Sequence, residues 1–116
     1  MALILIVDDS LDSLVSLSDL IQTNGHQCRI SASWKAALDQ LFIESFDIII
    51  CEYVMEEGNA LWFWDHLKSL QISSQFHIMS EDAQLKDKVF LTNPLISFCL
   101  KPVQWDDLSR TLNQQI

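Results

Sequence analysis

The sequence predicts an α/β protein of three layers, αβα, on a doubly wound parallel sheet of five strands. Three observations carry this. Five short apolar runs alternate with stretches of helical periodicity along the 116 residues. The first run, Ala2 to Val7, is continuous rather than alternating, which suits a strand covered on both faces. Between the runs the chain is helix-length, and strands joined by helical crossovers lie parallel with right-handed connections.

Each element follows from its residues. Ala2 to Val7 is the first strand and ends on Asp8-Asp9. Ser10 is placed to cap a helix, with Asp12 favourable in its first turn. Leu14, Leu17 and Ile21 recur at helical spacing, and Asn24-Gly25 stops the helix. Gln27 to Ser31 reads as a short second strand. Ser33 caps the next helix, whose inward face is Trp34, Ala37, Leu38 and Leu41. Phe46 to Cys51 is the third strand, and it delivers Glu52. After Gly58, the residues Ala60, Phe63, Trp64, Leu67 and Leu70 follow helical spacing. Phe76 to Met79 is the fourth strand, ending at Ser80. Asp82 to about Leu91 is a weakly patterned helix. Ile96 to Leu100 is the fifth strand, ending at Lys101-Pro102. Trp105, Leu108, Leu112 and Ile116 form the stripe of a last helix.

Composition narrows the function classes. With no repeat, low-complexity tract or linker, residues 1–116 read as one domain, large enough to bury a core without staples. The net charge of −9 repels phosphate backbones, so direct nucleic-acid binding is disfavoured and cations or basic surfaces are favoured. Cys28, Cys51 and Cys99 form no CxxC pair and sit in strand-like runs, where thiols act as small hydrophobes. The opening MALILIV lacks a basic leader, and no apolar run reaches the length of a membrane span. A cytoplasmic location without membrane contact is expected.

In a doubly wound sheet the site lies beyond the carboxyl ends of the strands. Five residues gather there: Asp8, Asp9, Glu52, Ser80 and Lys101. Carboxylates of this kind suit a hard cation such as magnesium, and a lysine beside a hydroxyl suits phosphoryl oxygens. Singly, each has a plainer reading, since Asp-Asp before a helix is a cap and Lys-Pro a turn. Together, on consecutive βα units, they are specific.

At these residues the chain resembles the receiver domain of bacterial two-component response regulators, the fold of the chemotaxis response regulator. The matching segments are LILIVDDS, FDIIICEYVM, FHIMS and FCLKP, and the resemblance covers essentially the whole chain. It implies a flavodoxin-like sheet of order 2-1-3-4-5. It implies magnesium at Asp8, Asp9, Glu52 and the backbone carbonyl of Val54. Lys101 would contact the phosphoryl group, with a cis peptide before Pro102. Ser80 would be the switch hydroxyl and Phe98 the aromatic that changes rotamer with it. The resemblance also implies a signalling module rather than an enzyme. Its partners would be a histidine kinase, a phosphotransfer protein or another signalling protein. The face made by the fourth helix, fifth strand and fifth helix, where Trp105 stands, would bind a partner or a second copy.

The departures from the family pattern concentrate at the acceptor. Glu52 stands where the family has its phospho-accepting aspartate, and YVMEEGN replaces a longer, proline-containing loop. Glu81 follows the switch hydroxyl where a small residue is usual, and NPLIS precedes the fifth strand. Glutamate is longer by about 1.5 Å, and a misplacement of about 1 Å costs on the order of a hundredfold in rate. Three readings stay open for Glu52: a degenerate, phosphorylation-independent receiver, a fixed mimic of the phosphorylated state, and residual phosphorylation. A mimic would carry less charge and fewer oxygens than an acyl phosphate.

Two other features have plain readings. Trp62 falls off the apolar stripe of its helix and is expected at the surface, as a ring lying along it or as a partner anchor. His26, His66 and His77 share no metal spacing and read as ordinary surface or strand residues. The rival function is a phosphatase of the haloacid-dehalogenase type, with magnesium. It requires Asp-x-Asp where this chain has Asp8-Asp9-Ser10, and a cap insertion that is absent.

Overall fold

The structure, a computed structural model, describes residues 1–93 and 95–113. The expected part of Ile116 in the last stripe, and Pro94 of the NPLIS segment, lie outside these residues.

Strand β1 (Leu3–Val7) lies inside the sheet, one strand from its edge, because its side chains are apolar on both faces. Ile4, Leu5, Ile6 and Val7 are fully buried. It pairs in parallel with β2 (Gln27–Ser31) on one side and β3 (Ile48–Glu52) on the other. Next to β3 lies β6 (Gln75–Ser80), and β7 (Ile96–Leu100) closes the other edge, both parallel. The order β2-β1-β3-β6-β7 is the expected 2-1-3-4-5 once a small hairpin is counted in the numbering.

That hairpin is β4 (Val54–Met55) with β5 (Gly58–Asn59), an antiparallel pair directly after Glu52. The stretch expected as a shortened loop is therefore ordered structure. Two-residue strands carry no periodicity, which is why the pattern hides them. Gly58 has φ +151°, a backbone region that suits glycine.

Among the described residues five helices cover the sheet: α1 (Leu11–Thr23), α2 (Trp34–Ile43), α3 (Ala60–Ser69), α4 (Leu85–Thr92) and α5 (Trp105–Asn113). Their starts obey the capping chemistry. Ser10 and Ser33 accept from Ser13 N and Ala36 N, and Asn59, a cap not expected from the sequence, accepts from Leu61 N and Trp62 N. At the end of α1, Gly25 takes φ +89°.

Strand alternation divides the core between the two faces. Leu5, Val7, Ile49, Cys51, Phe76 and Ile78 pack with Ala37 of α2 and Ala60, Phe63 and Leu67 of α3. Ile4, Ile6, Ile48, Ile50, Met79 and Cys99 pack with Leu14, Leu17 and Ile21 of α1 and Leu108 and Leu112 of α5. Trp34 and Phe63 stack at 5.2 Å. Some boundaries differ from expectation: β1 begins at Leu3 rather than Ala2, and β6 takes in Gln75 and Ser80. β3 begins at Ile48 rather than Phe46, α4 begins at Leu85 rather than Asp82, and Leu70 caps α3 at 40 % exposure instead of joining its inward face. Among the described residues no helix is long and apolar enough to cross a membrane.

Candidate functional site

The parallel register brings the ends of β1, β3, β6 and β7 to one edge. There the side chains of Asp8, Glu52 and Lys101 meet. Lys101 Nζ lies 2.7 Å from Asp8 Oδ2 and 3.4 Å from Glu52 Oε1. It also donates to Ser13 Oγ at 3.0 Å. Lys101 itself is placed by the sheet, since its N–H donates to the Ser80 carbonyl at 2.8 Å. The Lys101-Pro102 peptide is cis, as the family resemblance implies.

Each carboxylate is held by both oxygens. Asp8, only 1 % exposed, accepts from Ser10 N through Oδ1 at 2.9 Å. Glu52 accepts from Tyr53 N through Oε2 at 3.1 Å. Burial raises the Glu52 carboxyl above its ordinary pKa; the Lys101 ammonium offsets only part of this, and the Asp8 charge adds to the rise. Burial alone would lower Lys101, but its hydrogen bond to Asp8 and the charges of Glu52 and Asp8 hold it above the ordinary lysine value. Both shifts describe one arrangement: an ammonium kept charged among oxygens, and a glutamate whose charge that ammonium only partly meets.

The remaining expected site residues are less closely joined. Ser80 is buried, and its hydroxyl accepts from Asp82 N at 3.1 Å rather than meeting Lys101 or Glu52. Asp9 and Glu81 are exposed. Val54 is exposed in β4, paired with Asn59. Phe98 packs partly buried against the face of α2 and α3. Trp105 is also half-buried, with its ring 5.9 Å from His26. A cavity of about 280 Å3 opens beside the site, and Ser13, Leu17, Met79, Glu81, Lys101 and Val103 are among its lining.

Two participants were not legible beforehand. Ser13 flanks the Leu14-Leu17 stripe in the first turn of α1, and that position was the available signal. Glu57, in the hairpin turn, accepts from Trp34 N at 2.6 Å and so ties the segment after Glu52 to the start of α2.

No protein-family model matches the chain. Among curated proteins it is similar to the transcriptional regulatory protein ZraR. Identity is 25% over 114 residues for ZraR of Escherichia coli K12, covering 97% of this chain and 26% of that protein. For ZraR of Klebsiella oxytoca it is 24% with the same coverage. The chain thus spans about a quarter of the length of these relatives. Among solved structures, chemotaxis protein CheY4 of Vibrio cholerae superposes with a TM-score of 0.85 at 21% identity, covering 100% of this chain and 99% of that one. A response regulator receiver domain protein from Clostridium thermocellum gives 0.86 at 21% identity over 100% and 94%. TrrA of Thermotoga maritima, solved with Mg2+ and BeF, gives 0.84 at 17% identity, covering both chains fully. The fold is that of a response-regulator receiver domain.

For a receiver fold the resemblance implies magnesium, so the donor set can be tested against it. Magnesium requires a near-octahedral shell of oxygens at about 2.0–2.1 Å. Here all four oxygens of Asp8 and Glu52 already have N–H or ammonium partners. Among the described residues no group of three or more His, Cys, Asp or Glu side chains could hold a metal ion. As arranged, an ammonium stands between the carboxylates where the ion would enter, and the residues do not fit it.

Proposed function

We propose that the chain is a receiver-type signalling module whose output does not depend on phosphorylation and which acts by binding a partner. The observation that carries this is the state of Lys101. An ammonium has three N–H groups, and three oxygens (Asp8 Oδ2, Ser13 Oγ and Glu52 Oε1) lie within 3.4 Å of it. The group expected to receive phosphoryl oxygens is already taken up, in part by the acceptor carboxylate. Glu81, exposed and lining the cavity beside Lys101, adds a second negative charge there. The chain's sequence similarity to ZraR and its receiver fold support the signalling class; the acceptor's chemistry supports independence from phosphate.

Partner classes follow from that reading: a histidine kinase, a phosphotransfer protein or another signalling protein, met in the cytoplasm. The face of α4, β7 and α5 is the proposed contact for a partner or a second copy. Trp105 offers only its exposed part, because the rest packs into the core. No catalytic turnover and no nucleic-acid contact are assigned to this domain.

Fixed mimicry of the phosphorylated state has one observation in its favour, the Glu52–Lys101 ion pair. It lacks the other half. A phosphoryl group read by this fold would engage Ser80 as well, and that hydroxyl is turned to Asp82 N. The test of the main reading is incubation with acetyl phosphate and magnesium followed by intact mass. An unchanged mass supports it.

A further inference from the structure

We propose that the Lys101 ammonium, fixed by Ser13, is the resident cation of this site and keeps divalent cations out at millimolar concentration. This rests on reading the site as receiver-like and adds what that reading leaves open, the identity of the positive charge there.

The argument starts from donors and acceptors. Asp8 Oδ2 and Ser13 Oγ both receive Lys101 at hydrogen-bond distance, 2.7 and 3.0 Å, and Glu52 Oε1 completes the ion pair at 3.4 Å. Lys101 therefore sits where the two carboxylates converge. The side chains of Lys101, Asp8 and Glu52 are 12%, 1% and 18% exposed, so solvent screens their interaction weakly. A divalent ion entering would meet the ammonium at close range, and it would have to strip Asp8 or Glu52 of an existing partner. Asp9, being exposed, joins no cluster that could outbid the lysine.

Ser13 is the positioning residue. It carries no charge, so it binds no divalent cation strongly by itself. Its hydroxyl accepts the ammonium N–H that neither carboxylate takes and holds the lysine on the Asp8 side. Its place one turn into α1 depends on the Ser10 cap, which receives Ser13 N at 3.3 Å. The glutamate matters as well. With an arm longer by about 1.5 Å, Glu52 reaches Lys101 while its second oxygen stays on Tyr53 N.

The test is a magnesium chloride titration of the isotope-labelled protein, read by backbone amide NMR and by the Lys101 Nζ proton signal. Wild type is expected to show no saturable shifts at Asp8, Asp9 and Glu52 in the millimolar range, and a slowly exchanging Nζ signal. Lys101→Met is expected to gain saturable binding, tighter by about tenfold or more than any wild-type binding. Ser13→Ala is expected to lose the Nζ protection and bind magnesium measurably, whereas Ser13→Thr, which keeps the hydroxyl, behaves as wild type. Millimolar saturation of wild type that Lys101→Met leaves unchanged would overturn the proposal. So would silence in all four proteins, since the lysine would then not be what excludes the ion. If Lys101→Met does not fold, the Ser13 pair decides: identical Nζ exchange and magnesium response in Ser13→Ala and wild type overturn it. Phosphorylation does not enter these readouts, so their failure leaves the reading of Glu52 to its own experiment.

Discussion

Glu52 Oε1 and Lys101 Nζ, at the ends of β3 and β7, form an ion pair at 3.4 Å. In a receiver fold these positions are expected to face each other across a phosphoryl group. Here the Glu52 carboxylate meets the ammonium directly, and Asp8 and Ser13 take the rest of it.

Lys101→Met leaves the Asp8 carboxylate buried without its charge partner. Removing one member of a buried pair costs about 3–5 kcal/mol. The variant is expected to lose roughly that much stability at pH 7, measured by urea denaturation. An unchanged midpoint would show that Asp8 finds another partner.

His77 sits fully buried in β6 with neither ring nitrogen hydrogen-bonded, and burial pushes its pKa down to about 4 from an ordinary 6.5. The unfolded chain therefore takes up a proton between these values that the folded chain refuses. Its contribution is intact above pH 6.5 and is lost as pH falls toward 4, by up to about 3 kcal/mol. Glu52, whose pKa is raised, acts in the opposite sense just above 4.5. Comparing His77→Leu with wild type isolates the histidine: the variant should match or exceed wild type at pH 7 and hold that stability better near pH 5.

Gly58 is the point where two tryptophans close on the hairpin. A Cβ there would lie 2.6 Å from the Trp62 ring and 2.9 Å from the Trp34 ring, at φ +151°. Gly58→Ala should cost about 2 kcal/mol and change the tryptophan emission of the folded state. An unaltered spectrum and midpoint would show that the rings yield freely.

Glu57 joins the hairpin to α2 by accepting from Trp34 N at 2.6 Å. A carboxylate at a helix start contributes about 0.5–1 kcal/mol through the helix dipole and the hydrogen bond. Glu57→Ala should lose about that much and speed hydrogen exchange of the Trp34 amide, leaving Ala36, which is held by the Ser33 cap, protected.

The five-stranded sheet was legible because β1 and β3 are apolar on both faces and helices α1 to α3 start on caps of their own. Leu14, Leu17 and Ile21 of α1, and Leu108 and Leu112 of α5, are buried as their spacing requires. The three cysteines are buried in separate strands, as small hydrophobes would be. The charged members Asp8, Glu52 and Lys101 were legible as a group because parallel strands deliver their ends to one edge. What the pattern hid has physical reasons. β4 and β5 are too short for a period. Ser13 and Glu57 act by reaching across from other segments, which no local spacing records. Trp62, at 63 % exposure, did follow its position off the stripe. The burial of His77 was hidden, because a polar residue inside an apolar run looks the same whether it finds a partner or not.

The most direct measurement of the central claim is intact mass after incubation with acetyl phosphate and magnesium, on wild type and Glu52→Gln. The unphosphorylated mass alone is expected in both. A stoichiometric phosphoryl adduct on wild type that disappears in Glu52→Gln would contradict it.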